Sequence, residues 1–321
     1  MSRKSTAEKI AKKRADFVSR TAAVLHIGET EATRLLATER RQSLRLNTLK
    51  LAPEQALAKL HDAGWRGQQY DWMAAGYTID TPFAVVRDSE PVVHGEVYIQ
   101  NAASWLPVLA LDPQPGELVL DVCAAPGGKT SHIAALTNNQ ARIWANDSSK
   151  PRLIKMRANL ALLGAAVERF TLYDAQHMAR KLDGQQFDKI LIDAPCSSEG
   201  LRNINSDKDM HDWSIAHIKR LQKEQKNIVR QVWQLLKPGG TLVYSTCTMA
   251  PEENEAVVDF LLRKHEDARV VPITLQLPNR VPALHTWNNK TFSRQIAGCL
   301  RLKPSENIEA FFVCKIQKYH A

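Results

Sequence analysis

Five of the 321 residues are cysteines, at positions 123, 196, 247, 299 and 314. Two stand apart by their neighbours. Cys196 lies in Asp193-Ala-Pro-Cys196-Ser-Ser-Glu-Gly200 and Cys247 in Tyr244-Ser-Thr-Cys247-Thr248, each just after an apolar run. Cysteine is more often a small buried apolar residue than a reactive one. That plain reading suits Cys299 and Cys314, and to a lesser degree Cys123. It suits Cys196 and Cys247 least, because they sit in polar Ser/Thr/Gly company. A thiolate there can act as a nucleophile if it is accessible and its pKa is low. An odd number of cysteines without close-spaced pairs predicts neither a disulfide framework nor a metal site. Free thiols in a reducing, cytoplasmic setting are expected.

A second candidate for chemistry is Asp121-Val-Cys-Ala-Ala-Pro-Gly-Gly-Lys-Thr130. Its small residues, Ala124, Ala125, Gly127 and Gly128, let a ligand approach the backbone, and the turn opens a helix whose N–H groups can meet an anion. It lacks the glycine spacing of a P-loop and of a dinucleotide fingerprint. Asp147 closes the next apolar run and can accept from ribose hydroxyls; Asp174 follows the third and could meet an adenine amino group. One such acid is more often a helix cap than a ligand. Three acids after three successive strands favour a nucleoside ligand such as S-adenosylmethionine.

Thiols beside a methyl sulfonium suggest a particular chemistry. Carbon 5 of cytosine is a poor nucleophile, and a thiolate adding to carbon 6 converts the ring to an enamine that can take a methyl group. An acid that protonates or hydrogen-bonds ring nitrogen 3 assists, and Asp193 is placed for that. A base must then remove the carbon 5 proton and the thiol must leave, which a second cysteine could assist. Reaching the ring from both faces requires an unstacked base, so a loop or extruded cytosine is expected.

These groups need strands to carry them. Leu118–Asp121, Ala141–Ala145, Arg169–Leu172, Phe187–Asp193 and Thr241–Ser245 read as buried strands, alternating with helices over about 128–136, 150–163, 214–236 and 252–264. That alternation predicts an α/β fold with a doubly wound, mostly parallel sheet, and ligands at its carboxyl edge. Glu309–Ile316 reads as a final edge strand. Upstream, Ser43–Thr48 alternates like a strand, Pro53–His61 like a helix, and Thr78-Ile79 and Ala84–Val86 like short strands. Three units are expected: a basic helical segment over 1–42, a small α/β module over 43–92, and the catalytic domain over 93–321.

Residues 1–20 carry seven Lys or Arg against Glu8 and Asp16, and the whole chain has a formal charge of +9. A basic balance suits a polyanion, because cations on the protein release the counterions of phosphates. The first helix is either a basic arm on RNA or a solvated face; its acids speak against a transit peptide. Arg40, Arg41 and Arg45 are candidates for phosphate contacts, with a solvated face an equal alternative. No apolar run is long enough to span a bilayer, and neither a membrane nor an obligate protein partner is expected; a monomer is.

The motifs resemble the Sun/Nop family of RNA cytosine-5 methyltransferases, which includes the bacterial RsmB and RsmF enzymes and archaeal tRNA enzymes. The likeness rests on Asp121–Thr130, Asn146-Asp147 with Arg152, Asp174, Asp193–Gly200, Trp213 with Gln225, Lys237–Gly240 and Tyr244–Glu255, and upstream on Arg45–Lys50 and Gln100–Pro107. It covers about residues 43–317. The resemblance implies a class I, Rossmann-like methyltransferase fold with an RRM-like N-terminal module that holds RNA. It assigns attack to Cys247 and release to Cys196, with Asp193 and Lys129 as further catalytic groups. S-adenosylmethionine would be held by Cys123, Ala124, Ala125, Pro126, Gly127, Gly128, Lys129, Asp147, Arg152, Asp174 and Asp193. The substrate is then rRNA, favoured by the closeness of Tyr244–Val257 to the bacterial rRNA enzymes, or tRNA. Ser198 stands where many members have glycine, Asn101-Ala102-Ala103 replaces a more usual Asp-Ser-Ser or Glu-Ala-Ser, residues 291–309 are less alike, and the long tail of the RsmF group is expected to be absent. DNA cytosine-5 methyltransferases, which attack with the Pro-Cys cysteine, are disfavoured by Cys247. A non-catalytic RNA-binding protein is disfavoured by the intact Asp193, Cys196 and Cys247. A small-molecule methyltransferase is disfavoured by the basic arm and extra module.

Overall fold

The computed structural model describes residues 3–319, with side chains from Thr6 onward. The side chains of Arg3 and Lys4, counted in the basic segment, lie outside the described ones. Helices α1 (Arg3–Leu25) and α2 (Glu29–Ala37) come first. They form neither a free arm nor a fully solvated face. Phe17, Val18 and Leu36 are buried with Ile204, Met210, Trp213 and Met249 of the catalytic domain. Arg14 pairs with Asp207, and Arg20 with Glu252.

The small module contains β1 (Gln42–Leu46), α3 (Pro53–Asp62), β2 (Gln69–Tyr70), β3 (Met73–Ile79), α4 (Phe83–Arg87), α5 (Glu90–Val93) and β4 (Val97–Ile99). The antiparallel sheet has the order β2-β3-β1-β4, which is the split β-α-β arrangement. Two expectations change. Ala84–Val86, read as a strand, is one turn of helix. The break expected at 92/93 falls inside the module, because β4 pairs with β1.

Leu44, Leu46, Ala56, Leu60, Ile79 and Val97 form the core between this sheet and its helices. The opposite sheet face is closed by the catalytic domain. A Cβ on Gly76 would stand 2.5 Å from the Trp105 ring, and Arg45, 1% exposed, donates to Ser131 Oγ at 2.8 Å. Burial lowers the Arg45 pKa to about 10. Arg45 is therefore an interdomain tie and not a phosphate contact.

After α6 (Leu106–Leu111) come β5 (Leu118–Asp121), α7 (Gly128–Leu136), β6 (Arg142–Asn146), α8 (Lys150–Leu162), β7 (Arg169–Thr171), α9 (Met178–Lys181) and β8 (Phe187–Asp193). Next are α10 (Asp207–Asp212), α11 (Ile215–Trp233), β9 (Leu236–Thr246), α12 (Glu255–Lys264) and β10 (Ala268–Val271). The short strands β11 (Arg280–Val281), β12 (Thr286–Trp287), β13 (Lys290–Thr291) and β14 (Leu300–Leu302) precede β15 (Phe311–Lys318). The nine-stranded sheet runs β11-β14-β15-β9-β8-β5-β6-β7, with β10 also on β15. Strands β5 to β9 are parallel, and the rest are antiparallel. β15 is no edge strand, because β14 and β10 cover the side away from β9.

Strands β5, β8 and β9 bury Val119, Leu120, Ile190, Leu191, Ile192, Leu242 and Val243 completely. A sheet covered on both faces demands such continuous apolar runs. Helix α11 is capped by Ser214, which accepts from His217 N, and buries Ile218, Leu221, Gln225, Ile228, Val229 and Val232 along one stripe. Gln225 is the polar member of that stripe. The chain leaves β5 for β6 and β7 on one side and returns to β8 on the other, so the crevice between the β5 and β8 ends is the switch point at which such sheets bind ligands. No helix among the described residues is long and apolar enough to cross a membrane.

Candidate active site

Parallel β8 and β9 end side by side, Asp193 facing Ser245 in register. The turns beyond them bring Cys196 Sγ and Cys247 Sγ to 3.3 Å. Both cysteines are free and partly buried. The Ser198 hydroxyl lies 3.5 Å from Cys247 Sγ and 4.0 Å from Cys196 Sγ. The hydrogen bond from the Cys196 thiol, helped by Ser198 and by Lys129, lowers the Cys247 pKa below the ordinary thiol value. The same bond and burial raise Cys196 well above it. The two sulfurs are therefore unlike: Cys247 is the more readily ionised and Cys196 the one that holds its proton more tightly.

Asp193 Oδ2 accepts from Lys129 Nζ at 2.7 Å, and Oδ1 accepts from Ser245 Oγ at 2.9 Å. Burial opposes the Lys129 charge, yet the pairing with Asp193 wins and its pKa is raised. Lys129 stays cationic near the Cys247 thiol.

On the β5 side, a cavity of about 230 Å³ is lined by Asp121, Cys123, Ala124, Ala125, Pro126, Gly128, Lys129 and Asp193, with Tyr98 and Gln100 of the small module as its far wall. Gly127 sits at φ 101°, where glycine carries no steric penalty. A Cβ on Gly128 would stand 3.0 Å from both Tyr98 and Gln100, so the crevice is narrow at that point. Burial raises the Asp121 pKa to about 7 and pushes the Cys123 thiol well up, which makes Cys123 an unreactive wall. A larger cleft of about 700 Å³ lies between α2, the β2–β3 hairpin and residues 303–308, and no cysteine lines it.

Of the residues expected from sequence, Cys196, Cys247, Asp193 and Lys129 form one cluster. Cys123 to Pro126, Gly128 and Lys129 form the adjoining wall. Asp147 and Asp174 stand at the next two strand ends and do not line that cavity. Asp147 is 2% exposed; its Oδ1 accepts from Ser149 N, while Oδ2 faces Arg152 at 3.3 Å without a hydrogen bond. Arg152 also donates to Ala125 O at 2.7 Å, tying the β6 end to the glycine turn. Asp174 Oδ1 accepts from Gln176 N, the capping role of an ordinary acid, and Oδ2 lies 4.0 Å from His177 Nε2. The residues fit a nucleoside donor with an amino-acid arm. Asp121 Oδ1, in the crevice that small residues keep open, and Asp147 Oδ2, at the next strand end, are buried acceptors without a hydrogen bond.

Sequence reasoning missed Ser245, which orients Asp193, the second wall from Tyr98 and Gln100, and Glu253 with Asn254, which support the two cysteine turns. Ser245 and Glu253 act through partners far along the chain, and Asn254 acts within the turn that carries Cys247. The one available signal was Ser198, noted only as a departure from glycine.

Fold and crevice together define a class I methyltransferase. Residues 108–317 match the family described as 16S rRNA methyltransferase RsmB/F. The tRNA (cytosine(49)-C(5))-methyltransferase of Pyrococcus abyssi is 36% identical over 280 residues, covering 87% of this chain and 88% of that one. Ribosomal RNA small subunit methyltransferase F of Aeromonas salmonicida is 34% identical over 321 residues, covering 95% of this chain and 64% of that one. This chain thus spans under two thirds of the length of that rRNA relative. A methyltransferase homolog protein from Pyrococcus horikoshii superposes with a TM-score of 0.77 at 32% identity, covering 94% of this chain and 98% of that chain. The chain belongs to the RsmB/F family, and its methyl donor is S-adenosylmethionine.

Proposed function

We propose that this protein methylates carbon 5 of a cytosine in RNA, with rRNA as the first candidate substrate and tRNA as the second. The observation that supports this most is the pair of thiols 3.3 Å apart, with the Cys247 pKa lowered by its neighbours, beside the Lys129–Asp193 ion pair. The rRNA preference is drawn from the family description and the rRNA relatives. The tRNA reading is drawn from the archaeal relative, which this chain matches over nearly its full length.

In this reading Cys247 attacks carbon 6, forming the S–C bond while the ring's 5,6 electron pair moves toward carbon 5. Asp193, fixed by Lys129 and Ser245, handles the proton or hydrogen bond at the pyrimidine edge as the ring gains electrons. The bound donor supplies an electrophilic methyl group. Asp121, Asp147 and the turn 123–129 would hold it, with Asp174 at its adenine end. Carbon 5 takes that methyl group with its electron pair; a base then removes the carbon 5 proton, the electrons of that bond re-form the 5,6 double bond as the carbon 6–sulfur bond breaks, and the Cys196 thiol supports departure of the Cys247 thiolate. Covalent addition of this kind divides one hard step into easier ones.

The small module forms the far wall of the crevice, and we propose that it holds flanking RNA through its edges and helix side, since its second sheet face is covered. Nucleoside mass spectrometry and bisulfite sequencing of RNA from cells lacking the gene test the proposal. Loss of 5-methylcytidine at one rRNA position is expected; an unchanged pattern in both rRNA and tRNA would overturn it.

A further inference from the structure

We propose that the adjacent residues Glu253 and Asn254 are positioning residues, each fixing one of the two thiols, so that one dipeptide sets the distance between them. The inference rests on the reading that both cysteines serve the reaction.

Glu253 is fully buried and holds the Cys196 turn from both sides. Its Oε2 accepts from Ser197 N at 3.0 Å, and its Oε1 accepts from Ser197 Oγ. Oε2 also accepts from Gln225 Nε2 at 2.9 Å, and that amide in turn donates to Pro195 O at 2.8 Å. The residues before and after Cys196 are therefore both tied to one carboxyl group. Asn254, also fully buried, treats Cys247 in the same way. Its Oδ1 accepts from Thr246 Oγ1 at 2.5 Å, and its Nδ2 donates to Thr248 O at 2.9 Å.

The two halves are cross-linked. Ser197 Oγ lies 2.8 Å from Thr248 Oγ1, and Gly200 N donates to Cys247 O at 2.9 Å. Gly200 has no room for a side chain, since a Cβ would stand 2.2 Å from Ala310 O. Tyr244 Oη donates to Glu253 O at 2.6 Å, which fastens the dipeptide to β9. In this buried network both Glu253 oxygens and both polar atoms of the Asn254 side chain are partnered, while Gln225 Oε1 is not; such pairing rigidifies what it touches. It touches the four residues that flank the two cysteines and neither sulfur atom.

Because the two ties are separate, they predict separable defects. With Glu253→Gln, one acceptor oxygen becomes a donor facing Ser197 or Gln225, and Cys196 is displaced. Turnover should fall about a hundredfold, the scale for an ångström's misplacement, while covalent enzyme–RNA adduct accumulates. With Asn254→Ala, Cys247 is displaced. Turnover should fall on the same scale without adduct, and the midpoint of Cys247 alkylation by iodoacetamide should rise by about one pH unit as its hydrogen bond from Cys196 is lost. Both variants should also slow diamide-driven formation of the Cys196–Cys247 disulfide, scored by peptide mapping. The alkylation and disulfide measurements use the protein without RNA, so they judge the positioning role even if the assigned order of thiols is wrong. Where a variant unfolds, Ser197→Ala and Thr246→Val remove the matching donors while leaving Glu253 and Asn254 in place. Equal slowing by both variants, with wild-type alkylation and disulfide rates, would overturn the proposal and leave the network a purely structural role.

Discussion

Cys196 Sγ and Cys247 Sγ stand 3.3 Å apart, one pKa driven up and the other down. The asymmetry comes from what surrounds each sulfur. The contact with Cys196, the Ser198 hydroxyl and the Lys129 charge lower the Cys247 pKa, whereas the same contact, burial and the charge of Glu253 raise that of Cys196.

A first consequence concerns pH. The folded protein should lose Cys247 reactivity only as pH falls through a value below that of an ordinary thiol, because protonation removes the thiolate. Iodoacetamide labelling of Cys247 should therefore extend to lower pH than labelling of Cys196, Cys299 or Cys123, whose thiols burial pushes up. Cys196→Ala should shift the Cys247 profile upward. An unshifted profile would mean that the Cys196 hydrogen bond does not set it.

A second concerns Ser198, a non-glycine residue at φ 55° whose hydroxyl reaches Cys247. The left-handed conformation costs a residue with a Cβ about 1 kcal/mol. Ser198→Gly should raise the unfolding free energy by up to about 1 kcal/mol while moving Cys247 labelling to higher pH. Chemical denaturation and the labelling profile read the two effects separately.

A third concerns Asp121, buried and raised from 3.8 to about 7. Between those values the folded chain keeps a proton that the unfolded chain releases, so stability is lost as pH rises through this window and the loss is complete above about 7. Asp121→Asn cannot ionise. It should exceed the parent in stability by roughly 1–4 kcal/mol at pH 8, with the gap closing toward pH 4. Urea denaturation at the two pH values measures it; a gap independent of pH would contradict the assignment.

A fourth separates structure from RNA contact in the small module. Arg45 is buried on Ser131, so Arg45→Met should lower thermal stability yet leave the slope of log affinity against log salt unchanged. An exposed phosphate contact would instead reduce that slope by about 1.

Much of this was legible in the sequence because buried parallel strands are uninterrupted apolar runs. Leu118–Asp121 and Phe187–Asp193 have the bounds their pattern predicts, and strand ends carry the ligands. Local pattern failed where distant pairing decides. Ala84–Val86 is β-branched enough to suggest a strand, but it lies in a single helical turn after Pro82. Nothing within Glu309–Ile316 reveals that β14 and β10 will cover its outer side. Arg45 reads as a surface cation until Ser131, 86 residues away, closes over it. The same reason hid Ser245 and Glu253, whose partners lie 52 and 56 residues away, whereas Asn254 acts within the local turn it holds.

The most direct test incubates Cys196→Ala and Cys247→Ala with methyl donor and RNA from cells lacking the gene, then resolves the products on denaturing gels. Cys196→Ala should give a covalent protein–RNA band and little free product, and Cys247→Ala should give neither band nor 5-methylcytidine. A covalent band from Cys247→Ala, or normal methylation by it, would contradict the assignment of Cys247 as the attacking thiolate.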